Sequence, residues 1–185
     1  SHDPFEALGP HPTSDHGPEV SVFLPPAESV RLEGVGPMKR IPGSDFFVRT
    51  LQSSDKLETH YRVIWEEKDS GEIHEQVSPY TFEPQISEYD EYIFREGHHQ
   101  HAWKFLGARV CHVDGIEGCQ FAVWAPAVRR VSVVGDFIGW AGRRHPMRCR
   151  GTSGIWELFV PGLQPGCASK YELRTARGEF LIKAD

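Results

Sequence analysis

Among the carboxylates of this 185-residue chain, Asp136, Glu157 and Glu172 are the candidates near aromatic residues. Acid–base or nucleophilic work by such groups needs at least two of them held across one reacting bond, commonly with one pKa raised. Each has a plainer place, Asp136 in a Gly-Asp turn and the other two at outward strand positions, so the residues predict no active site within the chain. There is no G-x-S-x-G, no phosphate-cradling glycine loop and no metal-ligand motif. His98, His99 and His101 read as a solvated helical face rather than as metal ligands. The expectation is a chain that binds and does not catalyse, with no metal and no cofactor. Two rings stand where a core argument expects polar residues: Phe137 and Trp140, in a glycine-containing loop. Phe137 reads as an anchor beneath that loop. Trp140, followed by Ala141-Gly142-Arg143-Arg144, fits loop packing or a flat platform for a ligand.

The elements that position this loop are legible on either side of it. Residues 121–124 and 131–134 are β-favouring runs, separated at Ala125-Pro126 because proline has no N–H for a ladder. Gly135-Asp136 ends the second run. The first half repeats this order. VFLPPAESVRLEG parallels AVWAPAVRRVSVVG, with Pro26 set against Pro126, Val30 against Val131 and Gly34 against Gly135. Phe46 and Phe47 then match Ile155 and Trp156, and Tyr61 matches Tyr171. The first copy carries Val35-Gly36-Pro37-Met38 where the second has its loop tryptophan. Short strands at intervals of about ten residues, punctuated by Gly and Pro, predict β-sandwiches. The fold class is therefore all-β: two tandem immunoglobulin-like sandwiches joined by a short helical connector. The boundaries fall at 1–85, 86–107 and 108–185. In the connector, Ser87 caps a helix whose Ile86, Tyr89 and Ile93 recur at steps of three and four and which ends at Gly97. A second short turn closes on Gly107, and the connector's many rings predict a role as glue between modules. At the amino terminus Asp3 caps one helical turn, with Pro4 at its first position.

Composition narrows the partners. The chain is 39% hydrophobic, and 20 basic against 26 acidic side chains give a formal charge of −6, which offers no footprint for nucleic acid or an anionic membrane. No apolar run approaches the roughly 20 residues that span a bilayer, and the visible amino terminus shows no export signal. A cytoplasmic chain with a neutral ligand is the expectation. Cys111, Cys119, Cys149 and Cys167 form no C-x-x-C pair, which argues against zinc, and they are expected to be free thiols. Cys111 and Cys119 flank the hairpin signal Asp114-Gly115, so facing positions across two strands are open to them.

FAVWAP, RRVSVVGDF, GW and RRHPM together resemble the carbohydrate-binding module of family forty-eight that precedes the catalytic barrel in bacterial 1,4-α-glucan branching enzymes. Upstream, DPFEALGPHP, VFLPPAESVRL, YRVIWE, EYDEYIF and HAWKFLGA resemble the extra amino-terminal module of some of these enzymes. The resemblance implies the non-catalytic amino-terminal region of a glycosyltransferase of glycogen biosynthesis, with α-glucan (glycogen, amylose, amylopectin) and the enzyme's own barrel as partners. It also implies sugar contacts at Trp140, Trp156 and Lys170. The family usually has Asn at the place of Ile138 and an aromatic at that of Ser169, and those departures imply weak binding. Alternation along the strand that starts at Ile155 puts Trp156, Leu158 and Val160 on one face, so a core on that face buries Trp156. Other readings of the same motifs are another amylase-superfamily enzyme and a freestanding glycogen-binding regulatory or scaffold module.

Overall fold

The computed structural model describes residues 3–12, 17–98, 102–135, 143–163, 169–175 and 177–184. The chain divides into two compact units, Ser1–Thr81 and Phe82–Asp185. Residues 86–107 belong to the second unit. Among the described residues no helix is long and apolar enough to cross a membrane.

Each unit is two four-stranded antiparallel sheets, as the spacing of apolar runs predicts. The first contains β1 (Gly9–His11), β2 (Glu19–Phe23), β3 (Ala27–Leu32), β4 (Gly36–Pro37), β5 (Lys39–Arg40), β6 (Phe46–Thr50), β7 (Arg62–Glu67) and β8 (Ile73–Val77). Its sheets run β1-β2-β6-β5 and β4-β3-β7-β8. The second contains β9 (Gly107–Val113), β10 (Ile116–Trp124), β11 (Val128–Gly135), β12 (Arg143–Pro146), β13 (Arg148–Arg150), β14 (Ile155–Pro161), β15 (Ser169–Thr175) and β16 (Phe180–Ala184). Its sheets run β9-β10-β14-β13 and β12-β11-β15-β16, the same order strand for strand. The chain is all-β and internally duplicated.

The ladders correct the sequence alignment of the copies in three places. Ala27 lies opposite Glu67 and Val30 opposite Trp65, each copy having a bulge after its first pair; the second copy sets Val128 opposite Thr175 and Val131 opposite Leu173. Val30 and Val131 therefore correspond as expected. Pro126, however, corresponds to Pro25 rather than Pro26, and Tyr171 to Val63 rather than Tyr61. Slips of one or two residues near a bulge are invisible to a pattern of apolar runs, because alternation of period two survives a two-residue shift. The third correction concerns the loop. Met38 N–H donates to Val30 O at 2.8 Å and Met147 N–H to Val131 O at 2.9 Å, so Met38 is the counterpart of Met147. The second copy uses residues 135–147 where the first needs only 34–38, so the first copy lacks the whole loop and not merely its tryptophan.

Local signals held. Asp3 accepts from Phe5 N at 2.9 Å and caps α1 (Pro4–Ala7), and Ser87 accepts from Asp90 N at 3.0 Å at the head of α2 (Glu88–Arg95). Asp114 and Gly115 turn from β9 to β10 with φ of 51° and 78°, the left-handed pair of a two-residue hairpin. The register sets Cys111 opposite Gly118 and Cys119 opposite Val110. Neighbours along a strand point to opposite faces, so the two cysteines do not face each other. Cys111, Cys119 and Cys149 form no disulfide.

The helical stripe needs one correction. Phe94, rather than Tyr89, turns inward: Phe94, Phe105 and Leu106 pack on buried Ile86, Ala122 and Ile155, while Tyr89 and Trp103 are each 72% exposed. Gly118 marks a tight spot in the second unit. A Cβ there meets Val160 O at 2.5 Å and Phe159 Cζ at 2.6 Å, backbone and ring that have nowhere to move. Gly118→Ala is expected to destabilise the protein by about 1–3 kcal/mol through overpacking in a central strand. A urea midpoint equal to that of the unsubstituted chain contradicts it.

Candidate functional site

β14 carries two of the residues singled out from the sequence, and all seven of its positions are buried. Trp156 is 6% exposed and its Nε1–H donates to Ala125 O at 3.0 Å. Its counterpart in the first copy is Phe47, since Val22 opposite Phe47 repeats as Val123 opposite Trp156, and Phe47 is buried too. A ring so enclosed has no face for a sugar. In this structure Trp156 is a core residue, the outcome that alternation implied if its face met the core.

Glu157 overturns the expectation of an outward carboxylate. It is 3% exposed because a distant segment covers its face of the sheet. Its Oε2 accepts from Gln85 N and Ile86 N, both at 3.1 Å, and from Gln120 Nε2 at 2.9 Å. Arg150 Nε lies 3.2 Å from the other oxygen. Arg150 also donates to Ile86 O at 3.0 Å and lies 3.5 Å from Glu91. Beside this cluster Phe82 packs edge-on against Phe159 with centroids 4.7 Å apart. Burial raises the Glu157 pKa, opposed by the two backbone N–H groups and by Arg150 and Arg148. A raised carboxyl suits a general acid, but this one is sealed beneath residues 82–86, with three donors on Oε2 and Arg150 beside Oε1. Glu172 lies on the other sheet, and Asp136 lies outside the described residues. Glu157 and Glu172 do not converge.

The open surface is the outward face of β12-β11-β15-β16. Tyr171 and Leu173 of β15 point into the core, so Lys170, Glu172 and Arg174 form the outward row. Lys170 is exposed and lies opposite Val134, one residue before Gly135, where β11 ends and the chain passes into residues 136–142. Arg174 lies opposite Phe180 on β16 and over its ring, 5.5 Å from the centroid. Phe180 is 56% exposed. Trp140 and Ile138 lie outside the described residues, as does the side chain of Ser169. Sequence reasoning missed Phe180; the signal available was an aromatic two residues after Gly178, on the last strand of a predicted sheet and thus at its edge.

Comparison with known proteins divides the chain in the same way. Residues 1–80 match the family described as alpha-1,4-glucan branching enzyme GlgB, N-terminal domain, and residues 105–185 match Carbohydrate-binding module 48 (Isoamylase N-terminal domain). The 1,4-alpha-glucan branching enzyme GlgB of Thiobacillus denitrificans is 56% identical over 184 residues, covering 100% of this chain and 25% of its own length. That of Hydrogenovibrio crunogenus is 48% identical over 187 residues, covering 100% of this chain and 26% of its own. The chain thus spans about a quarter of the length of these relatives. With both of its units matched in order and its full length aligned, the chain belongs to the 1,4-alpha-glucan branching enzyme family, of which it forms the amino-terminal region.

Proposed function

We propose that this chain is the non-catalytic amino-terminal region of a cytoplasmic branching enzyme of glycogen biosynthesis, which moves α-1,4-linked glucan segments to α-1,6 branch points. Its second unit holds an α-glucan for a catalytic barrel that packs beside it. The observation that supports this most is an open sheet face with exposed Lys170 and Phe180, in the residues matched to a carbohydrate-binding module. A glucan needs flat rings for the C–H faces of its sugars and a few polar groups for their hydroxyls. Phe180 supplies one ring, and Lys170, Glu172 and Arg174 supply the polar row. By the family motif Trp140, which follows β11 in the chain, supplies a second ring.

The test is migration in native gels cast with amylopectin. A stacked ring adds about 0.5–1.5 kcal/mol beyond its buried area, so Trp140→Ala and Phe180→Ala are each expected to weaken retardation about two- to tenfold. Ile138→Asn and an aromatic at Ser169 are expected to strengthen it. Unchanged retardation in both ring variants sinks the proposed face. The same protein is expected to leave the iodine absorbance of amylose unchanged, since Glu157 is sealed in the core and Glu172 lies on the other sheet.

A further inference from the structure

The hairpin of β7 and β8 gathers a donor set that spacing in the sequence does not announce. Trp65 lies opposite His74, and Glu67 N–H donates to Glu72 O at 2.9 Å, closing the turn between them. Residues two apart on a strand share a face, and so do directly opposed residues, so the register alone puts Trp65, Glu67, Glu72 and His74 on one side. His74 Nε2 lies 3.9 Å from Glu67 Oε2 and 3.8 Å from Glu72 Oε2, and one donor atom from each of the three residues falls within 4.8 Å of the others.

The surroundings hold this arrangement in place. The ring of His74 stacks on buried Trp65 with centroids 5.3 Å apart and planes at 29°, which fixes the imidazole plane. Ser70 Oγ donates to Glu67 Oε2 at 2.5 Å and accepts from Glu72 N at 3.1 Å, tying the turn to both acidic residues. Such outer contacts are what orient metal ligands. Glu67 and Glu72 share His74 as their basic neighbour, and the nearest lysine and arginine have other engagements. Lys68 Nζ donates to Pro25 O at 2.9 Å and lies 3.7 Å from Asp45, while Arg62 pairs with Glu33 and Glu75 at 3.6 and 3.2 Å.

We infer that Glu67, Glu72 and His74 bind a divalent transition-metal ion of the zinc class, with at least one coordination position left open. One imidazole and two carboxylates suit such an ion. Ligands at 2.0–2.2 Å around a tetrahedral centre stand about 3.4 Å apart. The two His–Glu separations need a contraction of about half an ångström and the Glu–Glu separation one of at most about 1.4 Å, within reach of glutamate rotations at the half-open rim of the hairpin. The ion joins two strands next to their turn and so stabilises the hairpin.

Calorimetric titration of the chelator-stripped 185-residue chain with zinc chloride tests this. The expected result is binding of one ion that Glu72→Gln and His74→Gln each weaken at least about tenfold. A rise in the thermal midpoint with zinc is expected in the unsubstituted chain and not in Glu72→Gln. Glu72 is largely exposed, so its variant stays folded should His74→Gln fail to. No heat of binding overturns the inference. So does binding that survives both variants and disappears when His98, His99 and His101 are changed to Gln.

Discussion

Glu157→Ala is expected to destabilise the second unit by about 3 kcal/mol or more. The change removes the acceptor for two backbone N–H groups and one amide, each left without a partner in a dry site at about 1–3 kcal/mol. It also strips Arg150 of its closer partner, and breaking a buried pair from one side typically costs 3–5 kcal/mol. Arg150 keeps Glu91 at 3.5 Å and Ile86 O, which holds the expected loss toward the lower end. Hydrogen exchange gives the more specific readout: amides 85 and 86 and those of α2 are expected to exchange faster, while the first unit is unchanged. A midpoint within about 1 °C of the unsubstituted chain contradicts the claim that Glu157 clamps this segment.

The same group has a pH signature. Its folded pKa lies above the ordinary 4.5, so the folded protein holds this proton to higher pH than the unfolded chain does. The contribution is fully present below about 4.5 and is lost as pH rises through the folded value. Glu157→Gln cannot titrate, so its stability is expected to fall less over that range. Parallel stability–pH curves for the two proteins contradict this.

Trp156→Ala is expected to cost about 3–5 kcal/mol, the usual range for removing a large ring from a core. The ring is 6% exposed and its N–H satisfies Ala125 O, so alanine leaves both a cavity and an acceptor without its donor. Loss of glucan binding in that variant is uninformative, because the sheet that carries Lys170 and Phe180 is lost with it. Trp156→Phe separates the roles. Phenylalanine keeps most of the apolar volume, and the first copy already uses it at the matching position, Phe47. The expected result is a folded protein, destabilised by about 1–2 kcal/mol, with amylopectin retardation unchanged. Retardation abolished in Trp156→Phe at an unchanged thermal midpoint shows instead that the ring meets sugar.

Much of the fold was legible because its signals are local. Proline cannot donate to a ladder, Asp114-Gly115 accepts a left-handed turn, and Ser87 offers an oxygen to the head of a helix. Such features act within a few residues, and together with the recurrence of apolar runs they determined two similar sandwiches and a capped connector. Only the tertiary structure decided the register between copies. Val63, not Tyr61, occupies the place of Tyr171, because a two-residue slip leaves the buried face unchanged and only paired hydrogen bonds distinguish the alternatives. Only the tertiary structure decided which strand faces are covered. Alternation sent Glu157 and Phe159 outward, yet residues 82–86 lie over them, and a strand cannot announce what a segment some seventy residues away will do. The grouping of Glu67, Glu72 and His74 is of the same kind: in sequence they are an unremarkable acidic turn and a histidine, and hairpin pairing alone brings their donor atoms to one face.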